Sequence, residues 1–476
     1  VGRGDRVALA MRKLPEWPVV VFAAVSLGDI VVPINAWWTG AELEYALADS
    51  GSQILVCDAE RMGRIAPHRA SLTGLKTIIT TRGDADGATT MEALLGPTSA
   101  WATLPETPLP HAQIEADDDA TIFYTSGTTG HPKGALGTHR NMMSNIFSGS
   151  YSAARTALRR GELPPEPVPK TILTVIPLFH VTACSATLMG ILATGSTMVL
   201  MHKWDTVKAL QLIEAERVTS TGGVPTIAWQ LIEHPDRDRY DLSSLETISY
   251  GGAPSAPELV RRIQSDLKAV PGNGWGMTET MATVTSHVAE DYLNRPTSCG
   301  PAVPVSDLKI MDEAGAVELP TGTVGELWAR GPQIVKGYWN KPDATAQTFI
   351  DGWVRTGDLA YLDDEGFCFI ADRAKDMIIR GGENIYSSEV ENILYDHPSV
   401  TDAALIGLPH RVLGEEPAAV VHLAPGTRAT EAELQQWVKE RLAAFKVPVR
   451  VVFCTDTLPR NANGKIIKRD LKALFD

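Results

Sequence analysis

Apolar and polar positions alternate along this chain in two rhythms. Short aliphatic and β-branched runs, such as Ile54–Cys57 and Thr77–Thr80, read as buried strands. Ala41–Asp49 and Thr206–Glu216 carry apolar residues at three- to four-residue spacing and read as amphipathic helices. The two kinds of run follow one another without an internal repeat. That order predicts an α/β fold: a large N-terminal domain of layered subdomains with mostly parallel sheets. Two stretches break the rhythm: Arg82 to Asp118, rich in Pro, Gly, Thr and Asp, and the proline-rich Arg155 to Lys170. Both read as exposed connections. The apolar run Val19 to Asn35 is interrupted by Gly28, Asp29 and Pro33, so it reads as a buried helix entering a strand rather than a membrane span.

The last hundred or so residues read as a separate small α+β domain. Ser388 to Glu391 has the form of a capping box, followed by Val390, Ile393 and Leu394 on one helical face, with Pro398 beyond. Val400–Leu408, Ala418–Leu423 and Val449–Cys454 read as strands. Thr430 to Glu433 opens a second helix with the stripe Leu434, Trp437, Val438, Leu442 and Phe445, and Ile466–Phe475 reads as a last one. The division falls near Arg373–Asp376, giving units 1–374 and 375–476.

Length supports this division: 476 residues exceed one compact core. The content of 44% hydrophobic and 21% charged residues is that of a globular protein and excludes a disordered or fibrous one. A net charge of −14, from 57 acidic and 43 basic residues, argues against broad binding to nucleic acid or anionic membrane. A local basic patch for a phosphorylated ligand stays open. Cys57, Cys184, Cys299, Cys368 and Cys454 are scattered, with no Cys-x-x-Cys pair. They read as buried free thiols of a reducing compartment, which points to the cytoplasm, with peripheral membrane contact left open.

The chemistry is densest at Thr121 to Gly134, TIFYTSGTTGHPKG. An apolar strand enters a loop of Ser, Thr and Gly closed by Lys133. Glycines let backbone N–H groups face an anion, hydroxyls add donors and the lysine adds charge, so this is a phosphate-binding loop. It lacks the G-x-x-x-x-G-K-[ST] spacing of P-loop nucleotidases. The string resembles the signature loop of the adenylate-forming (AMP-binding) superfamily, which includes acyl-CoA synthetases, luciferases and the adenylation domains of peptide synthetases. PLFH (Pro177–His180), YGGAP (Tyr250–Pro254), NGWGMTET (Asn273–Thr280) and GELWARGPQIVKGYW (Gly325–Trp339) resemble further family motifs. GWVRTGDLA (Gly352–Ala360), DRAKDMIIRGGENIYSSEVE (Asp372–Glu391) and PRNANGK (Pro459–Lys465) complete them, in the family's order. Relative to typical members, a few dozen N-terminal residues are expected to precede Val1.

The resemblance implies a role for each motif. Thr125, Ser126, Gly127, Thr128, Thr129, Gly130 and Lys133 would cradle phosphates. Glu279 would bind Mg²⁺ beside Thr278 at the phosphate, as a hard cation shared with substrate oxygens. Gly251, Gly252 and Ala253 would wall the adenine, with Asn273, Gly274, Trp275, Gly276 and Met277 completing the nucleotide site. Trp275 stands where the family usually carries Tyr and can still stack. Asp358 would accept both ribose hydroxyls, and Arg373, after the strand Phe367–Ala371, would reach ribose or phosphate. Lys465 would contact the carboxylate and ATP during adenylation, whereas Lys468 and Lys472 read as surface residues. Lys375 would be the hinge about which the small domain swings, bringing Gly381 and Gly382 to a CoA-binding position; the same glycine pair also reads as a simple tight turn.

His180 reads either as a core residue or as a gate of the acyl pocket, with Gly223, Val224, Trp229 and Met281 as further walls. No carboxylate lies in Leu178–Ser185 to pair a substrate amine, which disfavours α-amino acids. The expectation is an ATP- and Mg²⁺-dependent enzyme with CoA as co-substrate. It would turn a hydrophobic carboxylic acid into an acyl-adenylate and then a CoA thioester, releasing pyrophosphate and AMP. Fatty acids come first and aryl or cyclic acids second. A carrier-protein thiol or, as in luciferases, oxygen as acceptor, and an inactive nucleotide- or acyl-binding module, are the alternatives.

Overall fold

The computed structural model describes residues 2–125, 131–164, 166, 168–251, 257–374, 376–381, 383–460 and 466–475. Two sheets form the body. In the eight-stranded one the order is 337–338, 134–138, 119–124, 30–33, 6–10, 54–58, 77–81 and 89–90. Its pairings are parallel from 119–124 onward and antiparallel at the other end. The six-stranded sheet runs 282–288, 270–277, 247–251, 220–223, 171–174 and 197–200, all parallel except its first pair. Such strands are covered on both faces, which is why Ile54–Asp58 and its neighbours read as continuous apolar runs.

A third, antiparallel sheet, 300–301, 367–373, 353–362, 325–330 and 307–311, leans on this body. A fourth, built from 383–385, 378–380, 414–423, 400–410 and 450–454, belongs to the small C-terminal α+β domain. Its two faces are filled by separate apolar clusters, one around Leu405, Leu434 and Val438 and one around Ile406, Leu458 and Leu471. Val19 to Asn35 folds as the end of the helix Glu16–Val25 and the strand Ile30–Pro33. Among the described residues no helix is long and apolar enough to cross a membrane.

Four local expectations need correction. The segment from Arg155 is not loop at its start. The helix His139–Arg159, opened by a Thr138–Asn141 capping box, carries Arg155 and Arg159 to Asp291 at 3.0 and 2.7 Å. Arg82 to Asp118 contains the short strand Thr89–Thr90, the helix Met91–Leu95 and a 3-10 turn at Thr98–Thr103. The helix Ser387–Tyr395 has no side-chain cap: Ser388 Oγ donates to the Ala371 carbonyl, and Glu391 accepts from the Leu405 N–H at 2.7 Å. Tertiary partners outcompete the capping box there. The last helix is short, Lys468–Leu471 followed by 3-10 Lys472–Phe475. Thr430 does form its capping box with Glu433. All five cysteines are free, and burial pushes the Cys57 and Cys184 thiols up to about 12.

Candidate active site

The strand Asp119–Tyr124 delivers Thr125 to the start of the Ser-, Thr- and Gly-rich segment. The Thr125 N–H donates to the Lys133 carbonyl at 2.8 Å and the Lys133 N–H to Thr125 Oγ1 at 3.4 Å, closing the base of the loop. Ser126, Gly127, Thr128, Thr129 and Gly130, between them, lie outside the described residues. So do Gly252, Ala253, Lys375, Gly382 and Lys465.

Lys133 Nζ stands 4.5 Å from the centroid of the Tyr338 ring. The Tyr338 hydroxyl donates to Glu279 Oε1 at 2.6 Å. Burial and the neighbouring Glu279 charge raise the phenol pKa. Glu279 sits on the 3-10 turn Thr278–Thr280, is 7% exposed, and has no ion pair with a basic side chain among the described residues. A buried carboxylate with one oxygen bonded and no neutralising side chain fits a divalent cation completed by substrate oxygens. Among the described residues no cluster of three or more His, Cys, Asp or Glu could hold a metal by itself.

At the other end, Asp358 and Arg373 are register partners on adjacent antiparallel strands. The sequence suggested that Arg373 follows its strand; it is the strand's last residue, Phe367–Arg373, and so faces Asp358. Arg373 Nε lies 3.0 Å from Asp358 Oδ1, and the Trp275 indole N–H donates to Oδ2 at 2.8 Å. Each oxygen keeps acceptor capacity for a hydroxyl. Trp275 reaches Asp358 because its strand, Val270–Met277, is irregular between Trp275 and Gly276. Gly276 is required there: a Cβ would stand 1.4 Å from the Ala282 carbonyl oxygen. At Gly251 a Cβ would meet the Gly274 carbonyl oxygen at 2.6 Å.

Thr125, Lys133, His180, Gly223, Val224, Trp229, Gly251, Asn273 to Glu279, Asp358 and Arg373 all line one cleft of about 3300 Å³. Met281 does not. Its backbone is left-handed, φ 47°, and its side chain is fully buried over Gly137 in the cluster with Phe123 and Met142. Gly381 is also off the cleft wall: it is exposed, with φ 60°, and its N–H donates to the Leu413 carbonyl at 2.8 Å. His180 packs on Phe179 at 4.6 Å, and Phe179 on Trp37 at 5.2 Å. Arg262 covers the Trp229 ring at 5.3 Å.

Sequence reasoning missed several groups. Tyr338 lay inside a recognised motif without a role. Lys468, read as a surface residue, is only 22% exposed, pairs with Glu391 at 2.8 Å, and is held protonated by Glu391 and Asp372. Asp372 is buried and accepts from the backbone N–H groups of Arg373 and Ser387. Burial pushes its carboxyl up to about 6, with Lys468 opposing. These charges line the cleft on its C-terminal side.

Comparison with known proteins shows the family. The family model described as AMP-binding enzyme matches residues 1–339, and that of the AMP-binding enzyme C-terminal domain matches residues 389–465. A feruloyl-CoA synthase of Amycolatopsis sp. is 36% identical over 477 residues, spanning 99% of this chain and 89% of the relative. A long-chain-fatty-acid–CoA ligase of Mycobacterium tuberculosis is 33% identical over 475 residues, spanning 100% and 89%. The crystal structure of the anthranilate CoA ligase AuaEII with anthranoyl-AMP superposes with a TM-score of 0.87 at 26% identity, covering 100% of this chain and 88% of that one.

Proposed function

Because this chain belongs to the AMP-binding enzymes, the adenylate-forming superfamily, we propose that it activates a hydrophobic carboxylic acid, foremost a fatty acid, to its CoA thioester. It is an AMP-forming acid–thiol ligase. The observation that carries the reading is the convergence on one cleft of Glu279, bonded to Tyr338, and Asp358, bonded to Trp275 and Arg373.

In the first half-reaction a carboxylate oxygen attacks the α-phosphorus of ATP, and the bond to pyrophosphate breaks. The acid is already ionised near neutrality, so no base is needed. Asp358 accepts the ribose hydroxyls and Arg373 keeps it oriented. Thr125 and Lys133 meet the phosphates. Glu279, with Thr278 beside it, would hold Mg²⁺, which when bound offsets phosphate charge. Lys465 enters from the small domain to stabilise the crowded anions. In the second half-reaction the CoA sulfur attacks the acyl carbonyl, AMP leaves with the bonding pair, and the thiol proton passes to solvent. The domain boundary at residues 374 and 375, with Lys375 as hinge and Gly381 and Gly382 near CoA, lets one cleft serve both steps. The free cysteines favour the cytoplasm as the site of action.

The apolar character of Val224, Trp229 and Phe179 around the acyl end supports a hydrophobic acid. The similar relatives include both a fatty-acid ligase and an aryl one, so aryl acids are the second class. Acyl-CoA formation, followed by chromatography over fatty, hydroxycinnamic and amino acids, tests this. Fatty acids should give the highest kcat/KM; turnover of charged amino acids alone would overturn the assignment.

A further inference from the structure

Beyond the strand Arg6–Ala10 the chain places two adjacent cations, Arg12 and Lys13, on the cleft wall. Lys13 is 7% exposed, and its one hydrogen bond, to the Val175 carbonyl, leaves ammonium donors over. Burial, with Arg12 beside it, pushes its pKa down to about 8. The Arg12 guanidinium lies 4.8 Å from the centroid of the Trp37 ring. Among the described residues its side chain has no hydrogen bond or ion pair, and its Nε is buried without a partner.

The nearby acids are committed elsewhere. Asp58 receives both bonds of Arg61 Nη1, at 2.9 and 2.8 Å, and the Arg12 backbone N–H at 3.1 Å. Glu60 pairs with Arg61 and Arg64. Arg61 and Arg64 add positive charge around Arg12, partly offset by Glu60 and Asp58. A buried cation without a counter-ion is strongly unfavourable; Lys13 is one, and the half-buried Arg12 stands beside it.

Both touch the acyl end of the cleft. Val175, which takes the Lys13 bond, lies 3.1 Å from where a Cβ of Gly223 would be. Trp37, under Arg12, packs edge-on against Phe179, next to His180. A planar guanidinium fork and a point-like ammonium together suit a carboxylate or phosphate. Among the described residues, Glu279, Asp358 and Arg373 make no hydrogen bond or ion pair with Arg12 or Lys13.

We propose that Arg12 and Lys13 form an anion-binding subsite that receives a carboxylate or phosphate carried by one of the enzyme's substrates, separate from the carboxylate being activated. The anion belongs either to a second, distal carboxylate of the acid or to a phosphate of CoA. Only the identity of these molecules rests on the ligase reading; the subsite itself rests on the two unpaired cations.

The test compares the full chain with its Arg12→Gln/Lys13→Gln double variant. Calorimetric titration with adenosine 3′,5′-bisphosphate, the phosphate-bearing part of CoA, and with α,ω-dicarboxylates against monocarboxylates of equal length needs no turnover, so it stands even if the ligase assignment fails. Steady-state KM values for CoA against dephospho-CoA, and for diacid against monoacid, form the second readout. The subsite predicts a loss of about tenfold or more in affinity for one anion-bearing probe, the size of a charged hydrogen-bonded contact. KM for ATP should stay within about twofold. Collapse of the CoA to dephospho-CoA ratio assigns the phosphate, and collapse of the diacid to monoacid ratio assigns the carboxylate. Unchanged affinities and ratios in a double variant with wild-type circular dichroism would overturn the proposal. Arg12→Lys with Lys13→Arg keeps the charge and should retain most of the affinity, and it replaces the double variant as the informative comparison if that one does not fold.

Discussion

Trp275 donates its indole N–H to Asp358 Oδ2 at 2.8 Å across 83 residues of sequence, while Arg373 holds Oδ1 at 3.0 Å. The carboxylate is thereby fixed before any nucleotide arrives. Trp275→Phe keeps an aromatic face and removes only the donor. It should raise KM for ATP by about tenfold, the value of one hydrogen bond to a charged group, and narrow the preference for ATP over 3′-deoxy-ATP. Unchanged nucleotide discrimination would assign Trp275 to packing alone.

Tyr338 plays the corresponding part at the Glu279 end of the cleft through its 2.6 Å bond to that carboxylate. In Tyr338→Phe the Glu279 carboxylate loses its donor and is no longer held in one orientation. The Mg²⁺ concentration for half-maximal rate should rise several-fold while KM for the acid stays level. Mn²⁺ binding followed by electron paramagnetic resonance should weaken by about tenfold or less. A uniform fall in kcat with no change in metal dependence would show that the phenol does not act through Glu279.

That Lys133, Glu279, Asp358 and Arg373 meet on one cleft could be anticipated because each sits in a local string with distinctive chemistry. The strands Ile54–Asp58 and Thr77–Thr81 were legible because parallel strands covered on both faces must be apolar throughout. The Trp275–Asp358 bond was not, since it depends on how two sheets meet and on a bulge at Gly276. Met281 looked like a wall residue by its place after the Glu279 motif, but a left-handed backbone turns it into the core. Ser388 had the form of a cap, yet the Ala371 carbonyl took its hydroxyl. Lys468 looked solvated because lysine usually is, and only the fold brings Glu391 and Asp372 to it.

That lysine gives a stability prediction. Lys468→Met would leave Glu391, 12% exposed in its side chain, and Asp372 buried without their cation. Breaking a buried pair by removing one partner costs about 3–5 kcal/mol, toward the lower end for a pair at a cleft wall. Urea unfolding of the two proteins at neutral pH measures it. A cost below about 0.5 kcal/mol, as for an ordinary surface substitution, would contradict the placement of Lys468.

His287 should govern part of the acid response. It is buried, its ring nitrogen Nε2 lies 3.0 Å from the Ser298 carbonyl, and burial pushes its pKa from 6.5 down to about 3. The unfolded chain therefore binds a proton near pH 6.5 that the folded chain refuses until about 3. Stability from this residue is full above 6.5 and is lost as pH falls through that interval, by up to about 1.4 kcal/mol per pH unit. Asp372, raised to about 6, runs the opposite way and offsets part of the loss. The difference between His287→Gln and wild type isolates the histidine: the variant should gain relative stability steadily below pH 6.5. A difference independent of pH would refute the buried neutral imidazole.

If the cleft makes an acyl-adenylate and hands its acyl group to CoA, three products must appear together. The most direct measurement follows pyrophosphate, AMP and acyl-CoA together from ATP, Mg²⁺ and a fatty acid, with and without free CoA, in wild type, Glu279→Gln and Lys465→Ala. Equal amounts of the three products should form only when CoA is present, with adenylation falling by about a hundredfold or more in either variant, the scale for loss of an electrostatic transition-state contact. Sustained release of AMP and pyrophosphate without acyl-CoA, or wild-type rates in both variants, would contradict it.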